Sequence, residues 1–205
     1  MKKSPPATLL LLGVLAACST SVGKLQTKTL FNGRDLAGWV VMHGGEWTVE
    51  NGVLVGRNGL NWSTNPENSG SWLRSEKQYG DFILELEYAI NPGGNSGIFI
   101  RSALEKNPAF TGYEMQILAD RGRPPSKGSA GALYDVVAAA KNMSRPAGEW
   151  NQVRVEARGR RIQIVWNGEP TIDYEADRSL QGYLGLQSHD SRSVVNFRNV
   201  RITEL

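Results

Sequence analysis

Residues 82–88 read Phe82-Ile83-Leu84-Glu85-Leu86-Glu87-Tyr88, with a large apolar side chain at every second position. Successive side chains of a β-strand point to opposite faces, so the alternation predicts a strand with one face in a core and the other in water. Glu85 and Glu87 would lie on the solvent face. Such half-buried strands are typical of antiparallel sheets, and the stretch therefore predicts that architecture.

Turn signals extend this pattern along the chain. Asn51-Gly52 and Asn167-Gly168 each separate two strand-like runs, and this dipeptide accepts the positive φ angles of a type I′ hairpin turn. A third pair of runs flanks Gly159. Roughly a dozen short strands are predicted, with long loops at 57–70 and 119–130, short helical pieces near 104–107 and 177–180, and no helix of three turns. The pattern predicts one all-β domain, a sandwich or a barrel.

Composition narrows the classes of function. Hydrophobic residues make up 40% of the 205 residues and charged residues 21%, which is typical of a folded domain. The formal net charge is +3, two of the lysines lie near the N-terminus, and no Lys/Arg cluster suits phosphate binding, so no nucleic-acid partner is expected. Cys18 is the only cysteine, which excludes an intramolecular disulfide.

The N-terminus has the form of a targeting segment. Lys2 and Lys3 precede an apolar run from Ala7 to Ala17, which is too short to span a bilayer and typical of a signal peptide. The run ends in Leu15-Ala16-Ala17-Cys18, which resembles the lipobox of bacterial lipoproteins. That resemblance implies cleavage before Cys18 and lipidation of its thiol.

Three segments are therefore expected: a signal peptide over 1–17, a lipidated Cys18 with a polar tether over 18–28, and a sandwich over 29–205. The mature protein would be exported and attached through its lipid to the cell envelope, at the outer membrane or its periplasmic face. The alternative is an ordinary secretory signal in which the cysteine is incidental.

A second strand-like stretch carries the functional argument. It reads Gly112-Tyr113-Glu114-Met115-Gln116-Ile117-Leu118-Ala119-Asp120. Alternation places Glu114 and Gln116 on one face and Met115 and Ile117 on the other. A carboxylate beside a carboxamide on an otherwise apolar strand predicts the floor of a polar cleft.

An ordered set of sequence blocks resembles the 3-keto-disaccharide hydrolase domain family over residues 29–205. The blocks are 30–39, 79–88, 94–101, 112–117, 131–134, 146–151 and 185–189. The resemblance implies a concanavalin A-like antiparallel β-sandwich, also called a jelly roll, and action on, or binding to, glycosides oxidised at C3. A concanavalin-like glucanase carries two or three acids on one strand, whereas here Gln116 stands at the middle position and Asp120 follows too late.

The chemistry of a 3-keto sugar suits this set of residues. Two-carboxylate glycosidases need carboxyl groups about 5–5.5 Å or about 6.5–9.5 Å apart. A C3 ketone instead acidifies the C2 proton, so one base, one donor near the C3 oxygen and one acid at the leaving oxygen suffice for elimination. Water can then add to C1, and the net result is hydrolysis.

Candidate residues follow from these roles. Glu114 or His189 is the base, with the other as acid or metal ligand. Arg101 stabilises the enolate oxygen or pairs with Glu114, and Lys141 is a further acid or oxyanion candidate. Substrate-orienting candidates are Asn95, Gln116, Tyr134 and Asp120, with Trp62 and Trp72 as stacking surfaces.

No cofactor is predicted. The two histidines, His43 and His189, are too far apart in sequence to indicate a zinc site, whereas a calcium ion held by oxygen atoms stays open. The predicted partner is a carbohydrate, and the predicted function is cleavage of 3-keto-glycosides. Two alternatives stay open: a non-catalytic carbohydrate-binding module, and a conventional glucanase in which Glu85 or Glu87 completes a carboxylate pair.

Overall fold

The computed structural model describes Met1, residues 25–61 and residues 70–205. These residues form thirteen β-strands and one helical turn. The strands are β1 Thr27–Thr29, β2 Trp39–Met42, β3 Glu46–Glu50, β4 Val53–Arg57, β5 Ser71–Tyr79, β6 Phe82–Ile90, β7 Asn95–Ser102, β8 Tyr113–Leu118, β9 Asn151–Arg158, β10 Arg161–Trp166, β11 Glu169–Glu175, β12 Gly182–Ser188 and β13 Val195–Glu204, and the helix is α1 Pro108–Thr111.

The strands form two antiparallel sheets packed face to face. The eight-stranded sheet has the order β11-β10-β9-β6-β13-β4-β3, with β1 also paired to β13, and the five-stranded sheet has the order β2-β5-β12-β7-β8. A single large core fills the space between them, built from inward-facing residues such as Leu84, Ile98, Met115 and Phe197. The predicted all-β antiparallel sandwich is therefore confirmed.

The local predictions that rest on side-chain alternation or on turn residues are confirmed. Phe82, Leu84, Leu86 and Tyr88 are all buried. Asn51-Gly52 joins β3 to β4 and Asn167-Gly168 joins β10 to β11, with positive φ at all four residues. The positive φ at both turn positions is the geometry of the predicted type I′ hairpins.

Two boundaries differ from the sequence-based expectation. Thr27 and Lys28, predicted in the tether, pair with β13 and extend the eight-stranded sheet. The one helix of the described residues begins at Pro108, just after the predicted piece at 104–107. The described residues include no helix with the length and apolar character that crossing a bilayer requires. The predicted signal peptide and the lipidated Cys18 lie outside the described residues.

The outer face of the five-stranded sheet carries the cleft described below. Trp72, Phe99 and Ala109 are buried there as a small second cluster, against which Met42, Tyr134 and Tyr183 pack. On β8, Met115 and Ile117 face the core while Glu114 and Gln116 face outward, as alternation predicts. Residues 131–134 run along the free edge of β8, where the Tyr134 amide donates to the Glu114 carbonyl at 2.8 Å.

Candidate active site

A polar cleft opens on the outer face of the five-stranded sheet. It is lined by Asn95, Asn107, Ala109, Glu114, Gln116, Tyr134, Gln187 and His189. Strand register determines its layout: Gly97 pairs with Gln116, and Phe99 lies between Glu114 on one side and Gly185 on the other. His189 follows the end of β12, so it lies at the opposite end of the cleft from α1.

Glu114 is the buried acid of the cleft. Its side chain lies across the neighbouring strand at Gly97, where an added Cβ would come within 2.0 Å of the Glu114 Oε1 atom. The residue is 4% exposed, and among the described residues its carboxyl group has no hydrogen-bond or ion-pair partner. Burial raises the pKa of Glu114 to about 8, because desolvation disfavours the charged form. Glu114 is therefore largely protonated at pH 7.

Two amides of the cleft are oriented by backbone groups. The Gln116 Oε1 atom accepts a hydrogen bond from the Ile117 amide at 3.1 Å, and the Asn107 Oδ1 atom accepts one from the Ala109 amide at 3.0 Å. A carboxamide side chain accepts only through its oxygen, so the amino groups of both side chains are left for other partners. Gln116 and Asn107 therefore present hydrogen-bond donors.

Two other amides present acceptors. The Asn95 Oδ1 and Gln187 Oε1 atoms are buried and have no hydrogen-bond partner among the described residues. A buried polar atom without a partner costs about 1–3 kcal/mol, which a ligand hydroxyl group would recover. Donors and acceptors that converge on one cleft are what a polyhydroxylated ligand requires.

His189 is oriented by Asp190. The His189 Nδ1 atom lies 3.0 Å from the Asp190 Oδ2 atom, and the Asn61 side-chain amide lies 3.4 Å from His189 Nε2. An Nδ1–H donor to Asp190 leaves Nε2 as an acceptor, within hydrogen-bond reach of the Asn61 amino group, on a residue that lines the cleft. This is the arrangement of a general base held by a carboxylate.

Asp190 is itself held firmly. Its Oδ1 atom accepts hydrogen bonds from the Arg192 amide, the Ser193 amide and the Ser193 hydroxyl group, each at 2.9 Å. Burial alone would raise the pKa of Asp190, but the hydrogen bonds from His189, Ser193 and the Arg192 amide outweigh it and lower the pKa. Asp190 therefore stays ionised beside His189.

Arg101 does not reach the cleft. Its guanidinium donates to the Gly80 carbonyl at 2.9 Å and the Gly159 carbonyl at 2.7 Å, and it pairs with Asp81 at 3.1 Å. The φ angle of Arg101 is +54°, which breaks the strand alternation that would have placed it on the face of Gly97 and Phe99. The predicted pairing with Glu114 and the predicted enolate role are wrong, because these groups occupy the guanidinium.

Two further candidates also lie outside the cleft. The Asp120 carboxylate accepts from the Ala130 amide at 3.1 Å and from the Asn142 side chain at 3.0 Å, and so joins two loops. Lys141 is exposed on one of these loops. Neither lines the cleft, so the structure gives Asp120 a loop-joining role and places Lys141 away from the predicted chemistry. Asn95, Gln116 and Tyr134 do line the cleft.

A second carboxylate does not meet Glu114 in the described part of the chain. Glu85 and Glu87 lie on β6 in the other sheet, and Glu87 binds Arg198 at 2.7 Å. The predicted solvent-facing position of these two residues is confirmed, and their use as partners of Glu114 is ruled out by their place on the opposite sheet. The cleft thus brings one carboxyl group together with one histidine.

Sequence reasoning missed three functional candidates. Asn107 and Gln187 line the cleft, and Asp190 orients His189. The sequence contains a weak local signal for each of them. Asn107 precedes Pro108 as a helix N-cap, Gln187 lies near the end of β12 two residues before His189, and Asp190 follows His189 directly. Trp72, predicted as a stacking surface, is buried edge-on against Phe99 with ring centroids 5.5 Å apart. Trp62 lies outside the described residues.

Oxygen atoms near the cleft suit a hard cation only in part. The Glu114 carboxyl and the free oxygens of Asn95 and Gln187 are ligand types that calcium accepts. Within residues 25–61 and 70–205, no three His, Cys, Asp or Glu side chains come together as a metal-binding group. Calcium therefore stays an open alternative, with these three oxygens as its candidate ligands.

Solved structures of similar fold support a carbohydrate-active sandwich. A protein assigned as a glycosyl hydrolase from Parabacteroides distasonis superposes with a TM-score of 0.72 and 26% identity, covering 87% of this chain and 94% of that one. The carbohydrate-binding module CBM66 from Bacillus subtilis superposes with a TM-score of 0.57 at 20% identity, covering 80% of this chain and 94% of the module. The second likeness concerns the fold alone.

The sequence relatives also have names that denote action on carbohydrates. The chain is 23% identical to a 3-keto-disaccharide hydrolase from Bacteroides thetaiotaomicron, over 86% of this chain and 78% of that protein. It is 26% identical to a levanase from a Bacillus species over 72% of this chain, but spans only 16% of the levanase. The model of the 3-keto-alpha-glucoside-1,2-lyase-like domain family matches residues 26–203. With nearly the whole described sandwich inside that match, the chain belongs to the 3-keto-alpha-glucoside-1,2-lyase-like family.

Proposed function

We propose that the polar cleft cleaves the glycosidic bond of 3-keto-glycosides by elimination followed by addition of water. The observation that carries the proposal is the pairing of one neutral, buried acid, Glu114, with one histidine held by a carboxylate, His189 with Asp190. The family membership and the name of the Bacteroides relative support a 3-keto sugar as substrate.

His189 serves as the base in the first step. Its Nε2 atom removes the proton from C2 of the sugar, and the electron pair of the C2–H bond forms an enolate with the C3 ketone. Asp190 stabilises the resulting imidazolium across the 3.0 Å contact. The Gln116 amino group, whose orientation is set by the Ile117 amide, donates to the C3 oxygen as negative charge develops there.

Glu114 serves as the acid in the second step. The enolate electrons re-form the C3 ketone, the C1–O bond breaks, and the Glu114 carboxyl proton moves to the leaving oxygen. Water then attacks C1 of the unsaturated ketone and gives a proton to the Glu114 carboxylate, while the His189 imidazolium returns a proton to C2. Both groups end in their starting states, and the products are a free 3-keto sugar and the released alcohol.

The remaining cleft amides suit the sugar hydroxyl groups. The Asn95 and Gln187 oxygens accept from hydroxyl groups, and the Asn107 amino group donates to one. These contacts would hold the ring between His189 at one end of the cleft and Glu114 at the other. Correct placement of the ring between acid and base is itself a large part of catalysis.

The test compares a glucoside with its 3-keto counterpart. The expected result is release of the alcohol from the oxidised sugar alone, with exchange of the C2 hydrogen for deuterium when the reaction runs in D2O. Asp190→Asn should lower kcat by about 10²-fold or more, because the amide favours the wrong histidine tautomer. Cleavage of the unoxidised glucoside would contradict elimination.

A non-catalytic carbohydrate-binding module is the second candidate. It is favoured by the match to a short segment of a levanase and by the likeness in fold to CBM66. Saturable binding of sugars with no release from either substrate would establish that function in place of catalysis.

We also propose that the protein is an exported lipoprotein anchored through Cys18. The support is the basic, apolar and lipobox-like order of residues 1–18. Labelling with a fatty acid should mark the wild-type protein and not the Cys18→Ser variant. Equal labelling of both, or none of the wild type, would contradict the anchor.

A further inference from the structure

Two loops beyond the end of β8 carry exposed cationic side chains. One loop covers residues 119–130 and the other residues 140–146, and their exposed cations are Arg121, Arg123, Lys127, Lys141 and Arg145. None of the five side chains forms an ion pair, a hydrogen bond or a cation–π contact with another described residue. Because they belong to two separate segments, they make no basic run in the sequence, and folding brings them together. These five residues are named the basic patch.

The two loops are joined at the centre of the basic patch. The Asn142 side-chain amide donates to the Asp120 carbonyl at 3.2 Å, the Asp120 carboxylate at 3.0 Å and the Arg123 carbonyl at 3.3 Å. The Ala130 amide closes the first loop by donating to the other oxygen of the Asp120 carboxylate at 3.1 Å. Lys141 precedes Asn142 directly, so cations of both loops lie next to one junction. These bonds hold the two loops in one arrangement, which lowers the cost of ordering the charges around a ligand.

A hairpin at the other end of the strands gives the contrast. Arg158, Arg160 and Arg161, on and between β9 and β10, pair with carboxylates of β9 or β11 at 3.4, 3.4 and 2.6 Å. The exposed carboxylates of residues 119–149 are Asp135 and Glu149, and neither pairs with a cation of the basic patch. The hairpin cations are neutralised within the sheet, whereas the basic patch keeps a positive field that attracts anions.

The basic patch adjoins the polar cleft. From residue 130 the chain runs along the edge of β8 to Tyr134, which lines the cleft, and Gly128 lies beside the Tyr134 ring, where an added Cβ would come within 4.0 Å. The described residues that line the cleft include no lysine or arginine. The cleft therefore suits an uncharged sugar ring, and the acidic groups of a larger ligand would lie outside it, at the basic patch.

Strand register places the basic patch at the far end of the sandwich from the point where the chain enters it. Thr27 of β1 pairs with Thr203, which pairs with Ile83 near the start of β6. The first loop follows Leu118, which pairs with Asn95 beyond the end of β6. The nine residues of β6 separate these two ends by about 30 Å. An anchor before Thr27 would hold the opposite end at a membrane, which favours a ligand outside the bilayer over lipid headgroups.

We propose that the basic patch docks an acidic polysaccharide, a chain of sugars that carry carboxylate groups. The guanidinium groups of its three arginines match a carboxylate with two parallel hydrogen bonds. Each exposed contact is weak alone, but a polymer with repeated charges engages several cations at once, and the contacts then reinforce one another. The inference goes beyond the proposed function, because docking requires no turnover.

The test measures binding of the full-length protein to polygalacturonate by calorimetric titration, with neutral dextran as the uncharged polymer. The wild type should bind polygalacturonate alone, and binding should weaken with salt as the screening length falls from about 10 Å at 0.1 M to about 3 Å at 1 M. The patch variant, which should bind at least tenfold more weakly, is Arg121→Gln, Arg123→Gln and Lys141→Gln. The matched control removes three charges from the hairpin and should stay within twofold of the wild type; it is Arg158→Gln, Arg160→Gln and Arg161→Gln.

The outcomes separate the basic patch from net charge, from the membrane and from the reaction. Equal losses in the two variants, retained binding by the patch variant, or wild-type binding that does not distinguish polygalacturonate from dextran would overturn the proposal. Binding to phosphatidylglycerol vesicles but not to polygalacturonate would overturn it in favour of a membrane surface. Thermal denaturation checks the fold of each variant, and Lys127→Gln with Arg145→Gln repeats the test if the patch variant unfolds. Failure to cleave any 3-keto-glycoside leaves the binding result unchanged.

Discussion

Glu87 and Glu114 both lie on the outer face of a sheet, but on opposite sheets, and their surroundings shift the pKa values of their carboxyl groups in opposite directions. Burial would raise the pKa of Glu87, but hydrogen bonds from Arg198 and Asn199 outweigh it and lower the pKa. Within the described part of the chain Glu114 has no such partner, and burial raises its pKa to about 8. A carboxylate paired with cations on an open face is structural, whereas an unpaired one in a cleft is held ready to donate a proton.

The test with the largest expected effect on kcat removes each of the two carboxyl groups in turn. Glu114→Gln should lower kcat by about 10²–10⁴-fold, since an amide of the same shape cannot transfer a proton. Glu87→Gln is the matched control on the other sheet and should leave kcat within twofold. Steady-state kinetics on a 3-keto-glycoside measure both. Similar losses in the two variants would mean that the outer face of the eight-stranded sheet takes part in the reaction.

The second test displaces the Glu114 carboxyl without deleting it. Gly97→Ala introduces a Cβ at 2.0 Å from Glu114 Oε1, so the carboxyl must leave its position. We expect a loss in kcat/KM on the order of 10²-fold, because misplacement of a catalytic group by about 1 Å has that effect. Gly80→Ala is the control, since its added Cβ meets only ordinary contact at 3.8 Å. Full activity of Gly97→Ala would show that the position of Glu114 is unimportant.

The third test measures how the raised pKa of Glu114 makes the free energy of unfolding depend on pH. The folded pKa of Glu114 lies above its ordinary value near 4.5, so the folded protein keeps a proton that the unfolded chain releases, and stability falls as pH rises towards 8. Between pH 5 and pH 7 the free energy of unfolding of the wild type should fall relative to Glu114→Gln by about 2.5 kcal/mol.

Glu87 should show the opposite sign. Its folded pKa is lowered, so its contribution is present above the unfolded pKa and is lost as pH falls through the folded value. Urea denaturation of both variants across pH 3–8 measures the two trends. A constant difference between wild type and Glu114→Gln over that range would contradict the raised pKa.

The smallest expected effect on turnover belongs to Arg101. Arg101→Lys keeps a charge but loses the guanidinium fork that binds Gly80, Gly159 and Asp81, leaving the two glycine carbonyls without these donors and the buried Arg101 site without its bonds. We expect a loss of about 2 kcal/mol in the free energy of unfolding, with kcat of the folded fraction unchanged. Thermal denaturation and kinetics on the same sample separate the two. A loss of kcat at unchanged stability would show that Arg101 takes part in the reaction.

Sequence reasoning succeeded where a local pattern was sufficient. The alternation in β6 and β8, the two Asn-Gly hairpins and the outward direction of Glu114 and Gln116 all follow from backbone periodicity and turn chemistry. It failed at Arg101, where a positive φ interrupts the alternation, and at Asp120, whose partners are Ala130 at the far end of the same loop and Asn142 on the next loop. In both cases the deciding contacts are distant in sequence.

The amino-acid sequence by itself determined the all-β class, the outward direction of Glu114 and Gln116, and the likeness to one family, because each depends on periodicity or on the order of short motifs. Only the tertiary structure decided that Glu114 meets no cation among residues 25–61 and 70–205, that Asp190 holds His189 and that Glu87 belongs to another surface. A carboxyl group's charge depends on what surrounds it, and its surroundings come from strands brought together by folding.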